Sequence, residues 1–86
     1  MPRFFFDLGA PGSPVVDEEG IEFADWQSAM RYGLRCARDV IAQSVLAGEP
    51  VDLASYVAVC DHHRVKIRRL HFRDCVTLPG DERPDR

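Results

Sequence analysis

Between Asp25 and Pro50 the chain carries its one long run with helical periodicity, so any fold must be built around a single helix. Asp25 serves as N-cap: its carboxylate can accept from the free amides of the first turn, and the apolar spacing turns helical directly after it. Trp26, Met30, Gly33 or Leu34, Ala37, Ile41 and Val45 recur at intervals of three and four and form one apolar stripe over roughly six turns. This stripe is the expected buried face. Gly33 weakens a helix by about 0.8–1 kcal/mol relative to Ala, unless a close approach to a sheet makes the missing side chain useful. Arg31, Arg35 and Arg38 share another face, where Arg35 can pair with Asp39. Gly48 and then Pro50 end the helix, which is expected over about 26–47.

Short extended segments flank it. Arg3 to Leu8 opens with three consecutive aromatics, placing Phe4 and Phe6 on one face and Phe5 on the other. Residues 9–14 are Gly, Pro and Ser chemistry suited to a turn, and Val15-Val16 begins a return strand expected over 14–17 and extended to 23 past the bend at Asp17-Glu18-Glu19-Gly20. Beyond the helix, strands are expected at about 55–61 and 64–72, joined by Asp61-His62-His63-Arg64, a loose turn without glycine. Alternation breaks at Arg68-Arg69, which predicts a bulge. Residues 74–86 read as a tail.

The order ββαββ predicts an α+β domain over residues 1–73, with the helix packed on one face of a four-stranded, mainly antiparallel sheet. With 86 residues there is one thin core, and one helix covers one face. Phe5 and Tyr56 then stand on a bare opposite face, for which a symmetric homodimer is the expected cover. No apolar run is long enough to span a bilayer and no secretion signal opens the chain, so a cytoplasmic protein without membrane contact is expected. Cys36, Cys60 and Cys75 form an odd, widely spaced set, which fits reduced thiols.

The opening Met1-Pro2-Arg3-Phe4-Phe5-Phe6-Asp7, the turn Asp17-Glu18-Glu19-Gly20 with Glu22, and Asp25, Ala29 and Arg31 at the helix start resemble a family of short bacterial proteins of unknown function. The likeness spans most of residues 1–73 and implies the fold, but no catalytic residue. His62-His63 stands where that family tends to have a glycine turn. The succession of strands, an acidic Gly-containing turn and an Ala-rich helix is also similar to the HicB-type antitoxin core, a partner-binding module that often dimerises.

Charge is segregated along the chain. Residues 1–55 hold four basic and nine acidic residues, net −5, whereas 56–86 hold seven and five, net +2. From His62 to Arg73, five of twelve residues are Arg or Lys and none is acidic. Arg64, Lys66, Arg68, Arg69 and Arg73, enlarged by Arg31, Arg35 and Arg38 if these share a side, make the candidate binding patch. The basic strand can face the chain's own acidic segment 17–25 or protect a sheet edge, dock an acidic protein, or contact successive phosphates of a nucleic acid. A net charge of −3 and the lack of a groove-reading motif count against nucleic acid. His62, His63 and His71, with Cys60 and Cys75, are zinc-binding types, but their spacing forms neither a Cys-x-x-Cys knuckle nor a His-x-x-x-His pair, so no metal site is expected. No nucleophile with a base, no converging acid pair and no phosphate-binding glycine loop can be assembled, so neither catalysis nor a cofactor is expected. The sequence predicts a small non-enzymatic interaction or regulatory module acting through protein–protein binding as a homodimer, with nucleic-acid binding through the basic last strand as the alternative.

Overall fold

The computed structural model describes residues 1–10 and 14–76. The order of elements is β1 (Arg3–Gly9), β2 (Ile21–Glu22), α1 (Trp26–Leu46), β3 (Tyr56–Cys60), β4 (Lys66–His71) and α2 (Phe72–Cys75). The four strands form one sheet in the order β2-β1-β3-β4, with every pairing antiparallel. The long helix α1 lies on one face, so the fold is α+β.

Asp25 caps α1: its Oδ1 accepts from the Ser28 amide at 2.7 Å. Gly48, at φ +71, turns the chain out of the helix, and its N–H reaches the Val45 carbonyl at 3.1 Å. The buried line of α1 is Ala29, Gly33, Ala37 and Ile41, four residues apart and mostly small. Small residues let the helix sit close to the sheet: a Cβ at Gly33 would lie 2.9 Å from Val59 Cγ2 and 3.0 Å from Leu70 Cδ1. The expected stripe fails at its ends, where Trp26 is 48% exposed and Val45 64%. A 21-residue helix is about 30 Å long, more than any strand of this sheet, so its ends overhang.

On the helix side of the sheet lie Phe4, Phe6 and Leu8 of β1, Val57 and Val59 of β3, and Leu70 of β4. Phe6, Phe23 and Tyr32 pack ring to ring, with Phe6 and Tyr32 at 4.9 Å. Phe4, Ala29 and Val59 make one end of the core, and Ala37, Ile41, Val57, Phe72 and Cys75 the other. Phe6 and Leu70 touch both.

The return from β1 is two short pairings rather than one strand over 14–23. Val15 bridges Leu8 through two backbone hydrogen bonds of 2.8 and 2.9 Å, and Ile21–Glu22 pairs with Arg3 and Phe4. Between them the Asp17 carboxylate replaces the ladder, accepting from the amides of Phe6, Glu19 and Gly20. The turn residues 11–13 and the tail from 77 onward lie outside the described residues. The bulge falls slightly earlier than predicted: Val59 pairs with Arg68 but Cys60 with Lys66, leaving Ile67 as the extra residue. Phe72, expected to end a strand, starts α2 because its amide turns to the Ser55 carbonyl at 2.8 Å.

Candidate functional site

The β3–β4 hairpin positions the basic residues. Asp61 organises its turn by accepting from the amides of His63 and Val65, both at 2.9 Å. These hydrogen bonds, that from Val65 foremost, hold the Asp61 carboxyl below its usual range. Arg64 occupies the left-handed region, φ +64, where a glycine would rest without strain. Its side chain compensates. The guanidinium donates to the Asp17 carbonyl at 2.6 Å, approaches the Asp7 carboxylate at 3.7 Å and lies 4.2 Å from the Phe5 ring centroid. Arg64 therefore turns to the chain's own acidic side and leaves the predicted patch.

The register divides β4 between the two faces. Lys66, Arg69 and His71 pair with Cys60, Ala58 and Tyr56 on the face away from α1, while Arg68 and Leu70 pair with Val59 and Val57 on the helix side. The outer face is not bare as expected. Arg69 lies 4.8 Å from the Tyr56 ring, and Tyr56 covers Gly9 so closely that a Cβ there would stand 2.4 Å from its ring. Phe5 and Tyr56 are half-buried under these guanidinium groups, and Ala58 and Cys60 beneath are buried. Stacked cations shield the aromatic surface in place of a third layer.

Arg68 and Arg31 meet on the helix side of β4. Among the described residues the salt bridges are Arg3–Glu22 and Arg64–Asp7, so Lys66 and Arg68 have no carboxylate partner and Arg35 does not close on Asp39. Arg68, Arg31 and Gln27 rim a groove of about 290 Å³ walled by Trp26, Met30, Leu34 and Leu70. Arg31 donates to the Ser28 hydroxyl at 3.0 Å, so it stays at this rim. Arg38 instead donates to the Cys75 carbonyl at 3.0 Å and caps α2, on which Arg73 is exposed. Val65, at 58% just before β4, and Ile67, at 43% within it, add exposed aliphatic surface. The groove was missed in the sequence because Trp26 fits the buried stripe; the clue was its place in the first turn, where a helix longer than its sheet overhangs.

The residues of zinc-binding type are dispersed. His62 and His63 stack at 4.0 Å in the turn, while His71 sits against Tyr56 at the far end of the hairpin, about 13 Å away by strand rise. Among the described residues no three His, Cys, Asp or Glu side chains could hold one metal ion. The thiols are held protonated. Burial pushes Cys60 and Cys75 up, Asp7 raises Cys60 further, and burial also raises Cys36, which lines a cleft of about 600 Å³ with Tyr32 and the acidic turn. No helix among the described residues is long and apolar enough to cross a membrane.

Fold and site together define a small α+β domain whose antiparallel sheet ends, among the described residues, in a basic edge strand beside an apolar groove. The chain belongs to the family described as a domain of unknown function, DUF6894, whose profile matches residues 3–73. No curated protein and no solved structure matches it.

Proposed function

We propose that this domain is a non-enzymatic interaction or regulatory module that binds protein and assembles as a homodimer in a reducing compartment such as the cytoplasm. The observation that carries the reading is the edge strand β4: Lys66 and Arg68 have no carboxylate partner among the described residues, and exposed Val65 and Ile67 alternate with them. Several of the chain's own acids are engaged elsewhere, Asp17, Asp25, Asp52 and Asp61 by backbone amides and Asp7 by Arg64. A mixture of cations and aliphatic side chains suits an acidic protein surface. For the homodimer, Val15 and Val16 stand exposed beside Tyr56 on the outer face. Three separate thiols without a disulfide support the reducing compartment.

The test is capture from an extract of cells that express the protein, with and without nuclease treatment, using the wild type and a Lys66→Glu/Arg68→Glu/Arg69→Glu variant side by side. A protein retained by the wild type and lost with the variant is the expected result. Retention that disappears with nuclease would transfer the function to nucleic acid.

A further inference from the structure

We infer that β4 is a strand-addition site for an extended acidic peptide segment of a partner protein, whose aliphatic side chains enter the groove under Trp26. The inference rests on the protein-binding reading above and specifies its ligand. β4 is last in the sheet order, so among the described residues one row of its backbone N–H and C=O groups has no ladder partner. A peptide hydrogen-bonded there presents alternate side chains to the two faces. Those on the outer face come beside Lys66 and Arg69, where carboxylates are favoured. Those on the helix side come beside Arg68 and Leu70, at the mouth of the groove walled by Trp26, Met30 and Leu34. The stems of Arg31 and Arg68 complete its apolar rim while their charged heads stay in water.

The same geometry disfavours the other occupants. A second copy pairing β4 with β4 would bring rows of Lys and Arg together. A phosphodiester backbone neutralises cations, but it has no row of N–H and C=O groups with which to extend the ladder. An acidic strand with alternating aliphatic residues meets all three features at once.

Trp26 is the only tryptophan in the chain, which provides a reporter inside the groove. The probe is the peptide acetyl-Glu-Val-Glu-Leu-Glu-Val-Glu-amide, followed by Trp26 emission, with three comparators: its Lys-for-Glu counterpart, the acidic peptide N-methylated at alternate residues, and a twelve-nucleotide oligo-dT. The acidic peptide should shift the emission to shorter wavelength and saturate, and the comparators should leave it unchanged. Lys66→Glu/Arg69→Glu should weaken the binding roughly tenfold. Gln27→Glu, at the groove rim in the first turn of α1, should also weaken it while favouring the helix dipole, which separates lost binding from lost folding. No shift with the acidic peptide, an equal response to the N-methylated peptide, or a response to oligo-dT alone overturns the proposal. If the extract capture succeeds and these titrations fail, protein binding stands and strand addition falls; if both fail, both fall.

Discussion

Replacing Gly33 with Ala tests how closely α1 approaches the sheet. On helix propensity alone the substitution should stabilise the protein by about 1 kcal/mol. The structure opposes this. The new methyl would stand 2.9 Å from Val59 Cγ2 and 3.0 Å from Leu70 Cδ1, well inside the usual carbon–carbon contact of about 3.5–4.0 Å. Val59 is fully buried and β-branched, so it has no rotamer to retreat into, whereas the end of half-buried Leu70 can swing aside. Overpacking of this kind costs about 1–3 kcal/mol, so after the propensity gain the net expectation is a loss of about 1 kcal/mol. In a domain of this size that lowers Tm by about 4–8 °C. Urea unfolding followed by circular dichroism measures it. A cycle with Val59→Ala locates the cause: that change alone should cost about 2 kcal/mol, and about 1 kcal/mol less when the methyl introduced by Gly33→Ala already fills part of the space. A Gly33→Ala protein that is more stable by the full propensity gain, with no coupling to Val59→Ala, would refute the close approach.

The pH dependence has two limbs. Asp25 and Asp61 have carboxyls lowered from 3.8 by backbone hydrogen bonds, so the unfolded chain takes up protons first as pH falls, and stability present above about pH 4 should decline below it. Burial raises the Cys36, Cys60 and Cys75 thiols above 9.0, and the hydrogen bond to Cys36 raises Tyr32; the unfolded chain then ionises first, and stability should fall as pH rises beyond about 9. A flat unfolding free energy from pH 3 to 10 contradicts both limbs. Arg64→Gly relieves about 1 kcal/mol of left-handed strain but gives up the hydrogen bond to the Asp17 carbonyl, a cation–π contact and an exposed ion pair, together about 2 kcal/mol. Urea unfolding should therefore show a net loss of about 1 kcal/mol while hydrophobic-dye binding at Phe5 increases, and unchanged dye binding would show that Arg64 does not shield that ring. Sedimentation velocity at tens of micromolar should show a dimer, and a strictly monomeric boundary removes the homodimer from the proposal.

The parts of the fold that were legible in the sequence are those specified by neighbouring residues. Alternation in β1, the Asp25 cap, the Gly48 exit and the gain from a glycine at position 33 are all local or depend on a single close contact. What escaped depends on residues far apart in the chain. Trp26 and Val45 belong to the apolar stripe by spacing, yet their exposure follows from a helix longer than the strands it covers. Arg64 has the spacing of a binding residue, but its partners, Asp7 and Asp17, lie across the sheet, 57 and 47 residues away. The shielding of Phe5 and Tyr56 by Arg64 and Arg69 likewise requires the register between strands that meet only on folding. Of the candidate patch, Arg68 and Arg31 meet at the groove on the helix side of β4, Lys66 and Arg69 stand on the opposite face, and Arg64 and Arg38 are tied to the chain's own carbonyl groups.

Amide hydrogen exchange on the protein bound to a captured partner tests the central claim most directly, because it reads the β4 backbone itself. The account predicts slowed exchange across Lys66–His71 and in the first two turns of α1 around Trp26, with residues 15–22 exchanging as in the free protein. Protection confined to residues 15–22 or to the turn at 61–64, with β4 unchanged, would contradict it.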